Sequence, residues 1–459
     1  MQMNNEEYWL KRRIADLARV YNFTEERIRM LKRDYNLAIK DIKKLLRDGN
    51  IEDYEKKRLK ELQKHIEERL QTLFELEEAY IASALVHVFE EEYYHGIYNL
   101  NQLVGYATGT YYIAPDTVEA AITTAWSGAS YSSRIWKRKK ELGKNVEDIL
   151  RKGIMMGYSN AKMAKQLSER MDASFRQAAR LVRTETSYVA NKATMEAYKE
   201  LEVEEYEFLA TLDLRTSETC RHMDGKTFPR EKAQVGLNYP PLHPNCRSTT
   251  IPVVDDLGFE ESRIAKDADG KYYEVPASMK YEQWYEKYVK TNPRFLAEEK
   301  KIKNRYADEK QFVKYQEALG NHAPRTLEEF QEMKYNDVEK WNVLASHYRY
   351  KNMLDRRKIV DAKEKRSLPI VGEANSIADL VDNGIVKQRR QYDYIGKAKQ
   401  DIDTSDHGQP KNHPTGAHKH EFDYNLPVPR KGWDYFSEDE LKMNEDIIRK
   451  GDNYHDDRD

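Results

Sequence analysis

The chain has almost no cysteine: Cys220 and Cys246 are the only two in 459 residues. So small a number cannot build a disulfide framework, and it fits synthesis in a reducing cytoplasm. Long apolar runs are missing as well. No stretch approaches the roughly 18 consecutive apolar residues that a bilayer-spanning helix needs. The opening residues 1–8 lack the basic-then-apolar order of a secretory signal, so Sec-type export is not expected. An excess of one charge is absent too. A formal net charge of −2 excludes a strong pull of the whole molecule on nucleic acid and leaves only local clusters to weigh. Apolar residues are themselves scarce, 39% against 34% charged with a mean hydropathy of −0.92. That is too polar for one compact enzyme and points to extended helices with much solvated surface.

What is present is arranged in blocks. From Tyr8 to about Leu103 the pattern is helical, with Ile28, Leu31, Tyr35, Ile39, Ile42 and Leu46 at steps of three and four, the spacing of one buried face. Gly49-Asn50 breaks this run before a second charged helix. Pro115-Asp116 opens another helix, with Trp126 and Trp136 expected in its continuation. Ser174 and Gln177 have the form of a capping box and predict a helix start that runs through Arg183-Thr184-Glu185 to Tyr198. Residues 208–212 and 249–254 read as strands around an Asp224-Gly225 turn. Residues 256–305 read as a linker rich in tyrosine and charge, and Thr326 to Phe330 begins a further helix. The fold class expected is mainly α: long amphipathic helices with a small β-rich insert at about 205–255 and a separate small α+β C-terminal module. The corresponding blocks are an N-terminal helical region (1–110), a core holding a Cys/His knot (111–256), a tyrosine-rich linker and helical region (257–366), and a His- and Asp-rich module (367–459).

The densest constellation surrounds the two cysteines. Cys220-x-His222 and His243-x-x-Cys246 supply two thiolates and two imidazoles, the shell of a structural zinc site. Cys-x-His is tighter than the usual two-residue knuckle, and Pro244 restricts the second pair. A disulfide closing a loop of about 26 residues would contribute roughly 3 kcal/mol in the chain-entropy description, outside a reducing cytosol. The remaining alternative is that the cysteines pack while Asp213, Arg215 and Asp224 make a polar network. No base and nucleophile are laid out as a catalytic triad requires, so hydrolysis is not expected there.

The order Asp213-x-Arg215-Thr216, Cys220, Asp224-Gly225, then Pro241-x-His243-Pro244-Asn245-Cys246-Arg247 resembles the signature of phage minor head proteins of the Mu F type. Arg183, Glu185, Asn191 and Tyr198 are similar to the lead-in of that family, and Tyr8-Trp9 and Tyr281/Trp284 are similar to what such proteins carry outside the core. The resemblance covers roughly residues 1–290. It implies a structural protein of the virion, present in few copies inside the head and assembled in the bacterial host cytoplasm. The implied partners are the portal protein, other capsid or scaffold proteins, and phage DNA. Two basic clusters, Lys11-Arg12-Arg13 and Lys137-Arg138-Lys139-Lys140, are candidate phosphate contacts of weak, salt-dependent kind. Nearby acidic residues balance them.

The C-terminal module carries Arg389-Arg390, Tyr392-Asp393, Asp401-Ile402-Asp403, Asp406-His407-Gly408, and His418-Lys419-His420. If residues 418–422 are extended, His418 and His420 face one way and can share an ion or a phosphate. Two imidazoles are also what a metal-independent ribonuclease needs as acid and base. A polar surface loop with satisfied histidines is the plain alternative. This stretch resembles the C-terminal domains of bacterial polymorphic toxins over about residues 385–425. The resemblance implies cleavage of nucleic acid, with His407, His418 and His420 as metal ligands or acid/base groups and Arg389 and Arg390 on phosphate.

Overall fold

The computed structural model describes residues 5–48, 56–104, 111–156, 158–253, 262–276, 278–405 and 416–448. The chain forms two compact units, Met1–Glu298 and Glu299–Asp459. The fold is mainly helical, and among the described residues no helix is long and apolar enough to cross a membrane.

The first unit is built on five helices: α1 (Asn5–Asp48), α2 (Lys56–Val104), α3 (Pro115–Thr123), α4 (Tyr131–Met155) and α5 (Asn160–Glu200). The apolar stripe of α1 is buried at Ile28, Leu31, Tyr35, Ile42 and Leu46, against Leu70, Phe74, Ile81, Leu85 and Phe89 of α2. Small residues set the approach of α2 and α5. A Cβ added at Gly96 would stand 3.0 Å from that of Ala197, so neither position has room for a larger side chain. Polar groups are buried in the same bundle and bonded to one another. Tyr35 donates to Glu77 at 2.9 Å and lies 3.3 Å from the Ser174 hydroxyl, while Arg138 of α4 donates to the other Glu77 oxygen. Burial pushes the Glu77 carboxyl up, and Arg138 pulls against it.

The structure corrects several local readings. Helix α5 starts at Asn160, fourteen residues before Ser174, and Ser159 caps it by accepting from the Lys162 amide. Ser174 therefore sits buried in mid-helix, and its Ser-x-x-Gln spacing is incidental. Trp126 lies in the turn after α3, stacked on Tyr188 with centroids 4.8 Å apart, and Trp136 belongs to α4.

After α5 the chain turns to short strands: β1 (Glu205–Leu209), α6 (Glu218–Met223), β2 (Thr227–Pro229) and β3 (Thr249–Pro252), with β1 central and antiparallel to both neighbours. A hairpin of β4 (Ser262–Lys266) and β5 (Tyr272–Pro276) follows, then α7 (Tyr281–Trp284), which continues as a wider turn through Val289. This stretch is no linker. Trp284 is completely buried and packs edge-on against Tyr281 and Phe295, with its indole N–H on the Tyr273 hydroxyl at 2.6 Å.

In the second unit, α8 (Pro293–Leu319, begun in the first), α9 (Leu327–Asn336) and α10 (Val338–Asp355) close around Tyr315, Phe330 and Leu344. Then come β6 (Lys358–Asp361), β7 (Ile377–Asp382), β8 (Ile385–Tyr392), β9 (Ala398–Asp403), β10 (His418–Phe422), β11 (Arg430–Asp434) and α11 (Glu438–Met443). The six strands form one sheet in sequential order, antiparallel except for the parallel β6–β7 pair. It carries buried charge on both faces: Asp379 and Arg389 on one, Arg390, Asp401 and Asp403 on the other.

The bundle makes a direct prediction. Glu77→Ala leaves Arg138 buried without its counter-charge and should lower the unfolding free energy by about 3–5 kcal/mol, read as a shift in the urea midpoint. Lys137→Ala, at an exposed neighbour, should change it by less than about 0.5 kcal/mol.

Candidate functional site

The cysteine block is held by two buried carboxylates. Asp224, at the end of α6, accepts from the Ala210 amide (2.8 Å), the Tyr281 amide (2.8 Å) and both Arg263 terminal nitrogens (2.8 and 2.7 Å). Arg263 also donates to the carbonyls of Met279 and Ala210. One ion pair thus ties β1, the α6 turn, β4 and the start of α7. Gly225 follows at φ +73, a conformation that suits glycine, and its N–H returns to the Phe208 carbonyl. Asp213 accepts from Arg247 through both guanidinium terminal nitrogens, from the Arg215 amide at 2.9 Å and from Thr216. Burial works against charge on Asp213. The hydrogen bonds and charge of Arg247 and the Arg215 amide outweigh it and hold the carboxyl below the ordinary carboxylate value. Arg215 contributes its backbone, with its side chain exposed.

Within this frame three predicted ligands converge. The Cys220 sulfur lies 3.7 Å from that of Cys246 and 3.1 Å from Nε2 of His243, and all three ligand atoms fall within 4.8 Å of one another. Both cysteines are buried, and their sulfurs are not joined. His243 Nδ1 is 2.9 Å from the Pro244 carbonyl. A carbonyl only accepts, so Nδ1 carries the proton and Nε2 presents its lone pair to the sulfurs. Ser217 caps α6, accepting from the Cys220 amide while its hydroxyl lies 2.7 Å from Nε2. The hydrogen bond from Cys220 draws the Cys246 thiol down against burial, and the same contact together with burial pushes Cys220 up.

His222 stands apart. It is exposed, with ring nitrogens 3.9 Å from Glu218 and Glu282, because two residues along a helix turn a side chain well away from Cys220. The four-ligand set read from the sequence thus becomes three. The basic cluster on α4 is also divided: Arg138 is spent on Glu77 and Lys139 on Glu67, leaving Lys137 and Lys140 exposed. The side chains of Lys11, Arg12 and Arg13 lie outside the described residues. Arg183 and Glu185 take separate partners. Arg183 clamps Glu25 at 2.6 and 2.9 Å, and buried Glu185 accepts from Trp126 at 2.8 Å. Arg263 and Ser217 were not singled out by sequence reasoning. Ser217 carried a signal as a serine three residues before Cys220, and Arg263 carried none.

A second cluster lies on the sheet of the second unit. His418 and His420 fall on one face of β10 with ring centroids 5.1 Å apart, and their Nε2 atoms lie 3.9 and 3.5 Å from Oδ2 of Asp403 on β9. Each Nδ1 is bonded to a carbonyl, Gly416 for His418 (3.1 Å) and Lys431 for His420 (2.9 Å). Asp403 also accepts from Arg430 at 2.5 Å and Gln388 at 2.9 Å. Burial lowers the His420 pKa, which keeps the ring neutral. His407 lies outside the described residues. Arg389 and Arg390 are not available to phosphate: Arg389 is clamped by Asp379 and Asp446, and Arg390 by Asp401 and the Leu368 carbonyl.

Residues 144–251, from within α4 through β3 and including the whole cysteine block, match the family described as Phage Mu protein F like protein. Over 217 residues the chain is 30% identical to NAD(+)--arginine ADP-ribosyltransferase EFV of Enterococcus faecalis (strain ATCC 700802 / V583), an alignment covering 44% of this chain and 44% of that protein. The chain thus spans less than half the length of that relative. No solved structure matches.

The depressed value of Asp213 fixes the sign of a pH effect. Its contribution to stability is complete above the ordinary carboxylate value of about 3.9 and is lost as pH falls through its lower folded-state value. Asp213→Asn should therefore destabilise at pH 7, read as a urea midpoint. The difference from the unsubstituted protein should shrink as pH drops below that value.

Proposed function

We propose that this protein is a minor component of a phage head, bound to the portal and acting in procapsid assembly or DNA delivery. The observation that carries this reading is that the matched segment, 144–251, spans the end of α4, α5 and the knot of β1, α6, β2 and β3. Long helices with charged outer faces, joined to a small unit fixed by buried ion pairs, suit docking on a ring of other subunits. Contact with DNA adds a weak, salt-dependent term through exposed residues such as Lys137 and Lys140.

Co-expression with the portal, scaffold and capsid proteins of the same phage should place the chain in purified procapsids, and Asp224→Ala should remove it. Its absence from the particles, with the chain recovered alone in soluble form, would sink the reading.

A second reading is favoured by the cluster on β9 and β10: an effector carried by the helical body, cleaving nucleic acid. His418 and His420 supply an acid and a base, their rings held by the Gly416 and Lys431 carbonyls and turned towards Asp403. Incubating the full chain with RNA and single-stranded DNA should give cleavage that His420→Ala lowers by about 100-fold or more. Cleavage equal in both proteins, or none in either, removes this reading and leaves the first intact.

A further inference from the structure

We propose that Cys220, His243 and Cys246 bind one borderline-soft divalent cation of the zinc class, with a fourth position taken by water. The proposal stands independently of the phage-head reading. Its first support is a length. A tetrahedral ion with bonds of about 2.3 Å to two thiolates holds the sulfurs about 3.8 Å apart, and here they stand at 3.7 Å. Covalently joined sulfurs would be near 2.05 Å, so the present spacing accommodates one ion between the two ligands without moving them apart. Nε2 of His243, 3.1 Å from the Cys220 sulfur, needs to retreat by only about 0.5 Å to reach tetrahedral separation.

The second support is orientation. The His243 Nδ1 proton is bound by the Pro244 carbonyl, the arrangement that fixes the tautomer of a metal-ligating imidazole and aims its other nitrogen at the ion. Each ligand is also held from behind. Ser217 caps the helix carrying Cys220, and the Cys246 amide bonds to the His243 carbonyl. Asn245, at φ +60, donates its amide to Thr184. The neighbouring cation does not compete, because Arg247 is committed to Asp213. Among the described residues no fourth ligand joins these three, and His222 faces outward beside Glu218 and Glu282. Half-buried His243 leaves the open side within reach of solvent, and the Ser217 hydroxyl is placed to accept from a bound water once it releases Nε2.

The test is a cobalt titration of the full-length chain, purified under reducing conditions and stripped of metal. One equivalent of Co²⁺ should produce a thiolate-to-cobalt charge-transfer band with visible bands of four-coordinate intensity, and Zn²⁺ should abolish both. The charge-transfer band reads sulfur ligands only, so an ion at Asp403, His418 and His420 does not mimic it. Cys220→Ser and Cys246→Ser should remove the band. His243→Ala should weaken cobalt binding by at least about tenfold, and His222→Ala should leave it unchanged. In the unsubstituted protein, Zn²⁺ should also slow reaction of both thiols with a thiol reagent, which needs no variant to fold. A folded protein without the charge-transfer band overturns the proposal. So does a band that survives Cys246→Ser, a band lost in folded His222→Ala, or thiol reactivity indifferent to zinc.

Discussion

The buried pair of Asp224 and Arg263 is the contact on which the knot depends. Both side chains are almost wholly withdrawn from water, and a charge so placed survives only if every lone pair and proton is met. Here the carboxylate accepts from two guanidinium nitrogens and two backbone amides, and the same two nitrogens also donate to two carbonyls. Because those partners come from β1, β4 and the entry to α7, none of the three segments can shift without stranding a charge. The position of α6, and with it the Cys220 sulfur, follows from that network. Apolar burial around the thiols, from Phe208, Ala210 and Leu242, is too small to set the geometry alone.

The same device recurs in both units. Glu77 meets Arg138 and Tyr35; Asp213 meets Arg247; Arg389 meets Asp379 and Asp446; Arg390 meets Asp401. A chain with 39% apolar residues cannot fill every interior with hydrocarbon, and it places charge there instead. Such pairs add little net stability over apolar packing, because desolvation cancels most of the attraction. Their effect is on register. In the sheet, Arg390 lies opposite Asp401, and Gln388 opposite Asp403. A one-residue slip would turn these groups to the other face and leave the charges unmatched.

That substitution of charge for hydrocarbon explains what could and could not be read from the chain. Helix α1 was legible because its buried face is apolar at helical spacing, from Ile28 to Leu46. Strands β8 and β9 were not, since Gln388, Arg390, Asp401 and Asp403 occupy the inward positions where alternation analysis expects apolar residues, and β10 was read only conditionally, as an extended 418–422 with His418 and His420 on one face. The stretch around Tyr281 and Trp284 read as a linker because its own composition is charged and its apolar partners, such as Tyr273 and Phe295, are scattered through the same polar run. Ser174-x-x-Gln177 imitated a cap in the middle of a helix whose true cap, Ser159, lacks the returning Glu or Gln. The Cys/His block was legible in kind, because two cysteines and two histidines at short offsets are uncommon. The choice among its ligands was not legible. Which of His222 and His243 turns inward depends on the orientation of a six-residue helix set by Asp224 and Arg263.

The two imidazole-bearing clusters share one feature and differ in another, and the difference assigns their chemistry. In both, Nδ1 is tied to a backbone carbonyl, so the rings present Nε2 in a fixed direction. In the second unit the anion they face, Asp403, already holds Arg430 and Gln388. An incoming metal ion there would lie against a guanidinium with a full positive charge and would have to displace it. Around Cys220 and Cys246 the Arg247 guanidinium is turned to Asp213, and the two sulfurs and Nε2 of His243 are left facing one another. An ion can enter there without displacing that guanidinium. The sulfur cluster is accordingly suited to holding a metal, and the Asp403 cluster, with a neutral His420 beside a paired carboxylate, to moving a proton.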